Sequence, residues 1–208
     1  LSIGFPTTIL GISYSEVIST LFLSDPMVIP ACTEYMQYGF MGLIFVLTGF
    51  AFQGFYTGVE ETKIHMKVTI ISNIINVYLN AGLIYGTEGV TQFFQSINLP
   101  WIAVLWQWIN FPALQVKGAA IATVIASAWM VLQYVFHIFH KNITIYKPNR
   151  LQFSSSNLIQ QIKLGFPVGA QEVISMVGFA LFYKIIGTVG TLELATSEVI
   201  LNIAHASF

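Results

Sequence analysis

Apolar runs about twenty residues long recur between Leu1 and Phe208, separated by short polar connectors, and this layout constrains the chain more than any single motif. Each run can cross a hydrocarbon core of roughly 30 Å as a helix rising about 1.5 Å per residue. The expected fold class is therefore all-α: a polytopic transmembrane helical bundle whose first partner is the lipid bilayer. Polar residues acquire an inverted meaning in such a chain, because one inside a span is costly and needs a partner or a purpose.

Composition supports that class. Hydrophobic residues make up 55% of the chain and charged ones 8%, against about a quarter charged in soluble domains. A net charge of -1 over 208 residues offers no basic face, so nucleic acid is not an expected partner. The single cysteine, Cys32, leaves no internal disulfide and no cysteine-based zinc site. The chain opens on Leu1 inside an apolar run and stops at Phe208 part-way into another, as expected of a piece of a longer protein.

The first run, Leu1 to Leu23, ends at Ser24-Asp25-Pro26, a capping residue followed by a proline suited to the first helical position. Further spans are expected at Ala31 to Phe55, Val68 to Tyr85, Gly118 to Phe139 and Ile162 to Ile186, with a partial sixth at Leu192 to Phe208. Gly86-Thr87-Glu88-Gly89 and Gly187 to Gly190 read as turns. Six of the eight Lys and Arg residues lie in or beside two connectors: Lys63 and Lys67 in one, and Lys141, Lys147, Arg150 and Lys163 at the other. Both connectors fall on one side, as the positive-inside rule requires, only if Ile97 to Leu114 does not cross. Trp101, Trp106 and Trp108 suit an interfacial segment, so residues 89–116 are expected as an insertion on the outer surface.

The organisation predicted is four transmembrane helices over 1–139, a cytoplasmic connector at 140–161, where charge, Pro148 and a serine cluster combine, and two further helices over 162–208.

Polar residues inside the spans carry the functional candidates. Thr69, Asn73, Asn76 and Asn80 are spaced by four, three and four residues, so they share one helical face. That face is expected to point into the bundle, either as glue between helices, at roughly 0.6 kcal/mol per hydrogen bond, or as a wall of a substrate cavity. Glu172 falls about nine residues into its span, near 13 Å deep. A carboxylate at that depth costs at least about 2.5 to 3.5 kcal/mol unless protonated, paired or hydrated. It either binds and releases a proton or cation, or stays protonated against an amide such as Gln171. Glu198, with Asn202 one turn on, is a second cavity candidate. His137 and His140 lack companions for a metal site and read as interfacial. Glu16 and Glu34 read as reaching the outer interface, and His65 as part of a polar connector. No nucleophile and base converge at one depth, so no catalytic residue and no enzyme activity is expected.

Several stretches resemble the multidrug and toxic compound extrusion (MATE) family of secondary transporters. Phe52-Gln53-Gly54-Phe55 followed by Val59-Glu60-Glu61-Thr62-Lys63 resembles the connector after that family's fourth helix. Ser72-Asn73-Ile74-Ile75-Asn76 through Leu83-Ile84-Tyr85-Gly86 is similar to its fifth helix, and Val116-Lys117-Gly118-Ala119-Ala120-Ile121-Ala122-Thr123 to the opening of its sixth. Lys163-Leu164-Gly165-Phe166-Pro167 resembles the start of the seventh. Gly190-Thr191-Leu192-Glu193-Leu194-Ala195 with Asn202 resembles the eighth.

The resemblance implies helices three to eight of a two-lobed, twelve-helix transporter in the cell membrane, completed by the remaining helices of the same full-length chain. It implies export of small organic cations, drugs or other xenobiotics in exchange for sodium ions or protons by alternating access, with no cofactor beyond that coupling ion. Many members carry a seventh-helix carboxylate eight residues after the proline. Ser175 holds that position here, and Glu172 precedes it by nearly one turn. The stretch around Trp101 to Trp108 is longer than the family's usual outer connector. The alternative function is a flippase for lipid-linked oligosaccharides, which would favour a cationic cavity; Lys184 is the sole basic residue within a span.

Overall fold

The computed structural model describes residues 4–23, 26–139 and 155–206. Among them are seven helices and no strand: α1 (Gly4–Phe22), α2 (Ile29–Gly58), α3 (Thr62–Ser96), α4 (Pro100–Gln107), α5 (Gln115–Ile138), α6 (Ser155–Val189) and α7 (Thr191–Ala206). They fall into two compact units, Leu1–Pro148 and Asn149–Phe208. Of the connector expected at 140–161, residues 140–154 lie outside the described residues, and the chain is already helical from Ser155.

Four helices, α2, α3, α5 and α6, are long and apolar enough to cross a membrane. That is fewer than the five spans and partial sixth expected from the runs. Thr7, Thr8, Ser13, Ser15, Glu16, Ser19 and Thr20 dilute the 19 residues of α1, and α7 has 16 residues that include Glu193 and Glu198. Large apolar side chains stand outward along the long helices, such as Ile74, Val77, Leu132 and Phe136. Such a surface suits hydrocarbon rather than water.

In the first unit α2, α3 and α5 pack on one another, and α1 lies against α2. Small residues permit the approach. Gly11 of α1 sits under the ring of Phe40, Gly42 of α2 under Val124, and Gly49 under Met130. At the start of α5 a side chain at Gly118 would collide with the main chain at Leu83, and Ala120, Ala122 and Ala126 are buried along the same helix. Helices α2 and α5 run parallel: Lys117 pairs with Glu34 at 2.8 Å near their first turns, and the Tyr56 hydroxyl donates to the Tyr134 carbonyl at 2.8 Å near their last.

Helix α3 differs most from expectation. It begins at Thr62 rather than Val68, and at the expected turn it is interrupted at Gly86 before helix resumes to Ser96. Gly86 bends it, with φ 72° and ψ 168°, a conformation that glycine alone adopts at no steric cost. The bend frees the Thr87 amide to donate to the Phe111 carbonyl at 3.2 Å, while the Thr87 hydroxyl accepts from the Phe111 amide at 2.9 Å.

The tryptophan segment then folds back along α3. Trp106 Nε1 donates to the Tyr78 carbonyl at 2.9 Å, and the Tyr78 hydroxyl donates to the Leu105 carbonyl at 2.8 Å. Tyr78 lies eight residues before the bend, about 12 Å along the helix. Leu114 N returns to the Leu83 carbonyl at 2.8 Å, so the segment leaves and re-enters at one end of the helix packing. Trp106 is buried at 7% exposure while Trp101 and Trp108 stand out at 70% and 85%. One tryptophan packs the segment down, and two face outward.

Candidate functional site

The polar stripe of α3 lies within the first unit. Asn80 Nδ2 donates to Asn76 Oδ1 at 2.9 Å along the helix, and Asn73 is exposed. Asn80 Oδ1 is buried with no hydrogen-bond partner among the described residues, although a buried amide oxygen left unpaired is costly. The bond across helices is made one residue before Asn73, where Gln133 Nε2 of α5 donates to the buried Ser72 hydroxyl at 3.1 Å. One residue turns a helix by about 100°. The contact face and the asparagine face are thus adjacent but distinct, and the amides are not consumed in holding α3 to α5.

Thr69, the first member of the stripe, sits differently. Its hydroxyl lies 3.5 Å from His65 Nδ1, and His65 Nδ1 lies 2.6 Å from the Tyr134 hydroxyl. Because α3 starts at Thr62, His65 belongs to its first turn and not to a connector. Tyr56, Val68 and Tyr134, each at 0% exposure, form the core here, backed by Phe52, Phe55 and Met130. The rings of Tyr56 and Tyr134 stack at 5.2 Å between centroids, and those of Phe52 and Tyr134 at 5.6 Å. This cluster was not singled out from the sequence. A signal existed: His65 precedes Thr69 by four residues, so the stripe of α3 extends back by one turn.

In the second unit, α6 carries Gln171, Glu172 and Ser175, and α7 carries Glu198 and Asn202; all five are exposed. Ser175 lines a recess of about 410 Å³ with Gly178, Phe179 and Phe182 of α6 and Leu201 of α7. Of the five candidates only Ser175 lines that recess; Glu172 stands nearly one turn before it on α6. No hydrogen bond joins Glu198 to Asn202 among the described residues, although their spacing permits one. Pro167 lies inside α6, where it removes one main-chain hydrogen bond, five residues before Glu172. Among the described residues no group of three or more His, Cys, Asp or Glu side chains could hold a metal ion.

Comparison with known proteins places this architecture. Residues 1–81 match the MatE family model, which covers α1, α2 and the asparagine half of α3. A protein named probable multidrug resistance protein NorM from Pseudomonas putida is 23% identical over 197 residues, covering 93% of this chain and 38% of the relative. The one so named from Bacillus cereus is 26% identical over 202 residues, with 91% and 38% covered. That from Thermotoga maritima is 23% identical over 159 residues, with 76% and 29% covered. The chain is thus similar to the MatE family over its first 81 residues. The chain spans less than two fifths of the length of these relatives, and the longer alignments cover more than nine tenths of it. No solved structure matches it. With four helices capable of crossing a bilayer, the chain is a multi-pass integral membrane protein.

Proposed function

We propose that this chain is part of a cation-coupled antiporter, driven by sodium ions or protons, that exports small organic compounds across the cytoplasmic membrane by alternating access. Drugs and other xenobiotics are the substrate class. Glu172, with Ser175 and Glu198 near it in role, takes the coupling cation, and the stripe from Thr69 to Asn80, with Gln171 and Asn202, faces the substrate.

The single observation that carries this reading is the asparagine stripe. Intramembrane amides are expensive, yet the α3 to α5 contact uses Ser72 and Gln133 instead, which leaves Asn73 open and Asn80 Oδ1 without a partner. A polar face not needed for packing is available to a solute. Multidrug resistance is the role named for the NorM relatives, and export by this chain rests on that likeness together with the stripe.

The test is dye efflux from proteoliposomes holding the full-length protein, under an imposed proton gradient and, separately, a sodium gradient. Glu172→Gln should abolish gradient-driven efflux while the protein still inserts. Efflux unchanged by that substitution would remove Glu172 from the coupling role, and absence of efflux under either gradient in the unsubstituted protein would remove the function.

A further inference from the structure

We infer that His65 is a proton-binding site in the first unit, wired through Tyr134 to the polar stripe of α3. The geometry is a chain of short contacts at the end of the bundle where α2 meets α3. His65 Nδ1 lies 2.6 Å from the Tyr134 hydroxyl and 3.5 Å from the Thr69 hydroxyl, and the Tyr134 and Thr69 hydroxyls also interact. Tyr134 is fully buried, so its hydroxyl has no water to turn to. Its carbonyl is held by the Tyr56 hydroxyl, and its ring is stacked on Tyr56 and Phe52 and lies 6.3 Å from the His65 ring.

Only one proton fits between Nδ1 and the phenol oxygen, and its ownership depends on the charge of the imidazole. When His65 is neutral with its proton on Nε2, the Tyr134 hydroxyl donates to Nδ1. When a proton from water binds Nδ1, that N–H donates to the phenol oxygen. The phenol hydrogen must then turn to a second acceptor, and the Thr69 oxygen is the one within reach. Binding one proton therefore reverses the direction of two hydrogen bonds and delivers the change to Thr69, the first residue of the stripe. Histidine is the side chain whose charge change falls in the range from about pH 5 to 8.

The surroundings leave this response to few groups. Tyr56 faces the cluster from α2 and Tyr134 from α5, while Phe52, Phe55, Val59, Ile64, Val68 and Met130 pack around it without charge. Glu61, the residue just before α3, lies four residues before His65, Thr69 lies one turn after it on α3, and His137 follows Tyr134 by three residues on α5.

The test uses the full-length protein in lipid nanodiscs with ¹⁵N-labelled histidine, the His65 signals being those lost in His65→Gln. In the neutral form they should show Nδ1 unprotonated, and Nδ1 should take up a proton as acid is added. Tyr134→Phe, which keeps the ring stack, should move both the midpoint and the tautomer balance, and Thr69→Val should move the midpoint alone. A His65 whose Nδ1 never takes up a proton as acid is added overturns the inference, as does a response and tautomer that Tyr134→Phe leaves unchanged. None of these readouts requires transport, so the outcome stands apart from that of the efflux test.

Discussion

The two units solve the same problem of placing polar groups among apolar helices in opposite ways. The first builds a core of its own: α2, α3 and α5 approach closely at glycines, and Tyr56, Val68 and Tyr134 are sealed from solvent. The second is a helix pair in which no residue with a described side chain is buried. A Cβ added at Gly165, Gly169 or Gly178 would meet nothing within 4 Å. One unit spends its small residues on packing, whereas the glycines of α6 and its acid stand open. The lesson is that one residue type means different things by position: Gly118 in α5 is a contact, and Gly165, Gly169 and Gly178 in α6 meet nothing among the described residues.

That contrast can be broken most forcefully at Gly118. Gly118→Leu drives a side chain into the Leu83 main chain, and overpacking of this kind costs on the order of 3 kcal/mol. The melting temperature of the full-length protein in detergent should fall sharply, whereas Gly165→Leu should leave stability within about 0.5 kcal/mol. Equal effects at the two glycines would erase the distinction between the units.

A smaller effect is expected where α2 is tied to α5. Tyr56→Phe removes the hydrogen bond to the Tyr134 carbonyl and keeps the ring stack. Hydrogen bonds between membrane helices average about 0.6 kcal/mol and reach about 1.7 kcal/mol, and this one is fully buried, so a loss toward the upper value should appear in the same melting experiment. Gln133→Leu breaks the bond to Ser72 and should cost about 0.6 kcal/mol. The smallest change is expected for Glu34→Gln at the Lys117 ion pair, whose side chains are 45% and 34% exposed. Exposed pairs contribute about 0 to 1 kcal/mol, and any loss should shrink further as salt is raised.

Much of the fold was legible because membrane helices are written in length and polarity. The long runs appear as helices α2, α3, α5 and α6, and the small-residue opening of α5 is the face that packs. The start of α3 was not legible. Lys63, His65 and Lys67 looked like a connector, but a helix can carry charged residues in its first turns where it leaves the apolar region, and the chain turns only at Val59 to Glu61 with Glu60 at φ 63°. The tryptophan segment was read from charge parity and aromatic content, which cannot separate Trp106, packed on Tyr78, from Trp101 and Trp108, which stand out. At the candidate site, spacing placed Thr69, Asn73, Asn76 and Asn80 on one face. It could not show that Ser72, a residue away, makes the contact with α5, because adjacent faces differ only in what lies opposite them. The His65 cluster was hidden for a related reason: Tyr134 is 69 residues further along the chain, and no periodicity within one helix reports such a pairing.

The account turns on whether the stripe of α3 and the acid of α6 meet water during a transport cycle. Single cysteines at Asn73 and at Glu172 in a Cys32→Ser background, treated with a membrane-impermeant thiol reagent, test this most directly. Labelling of both positions that changes when a gradient is imposed or a transported dye is added is the predicted result. Positions that stay unlabelled under every condition, with the protein folded in the membrane, would contradict it.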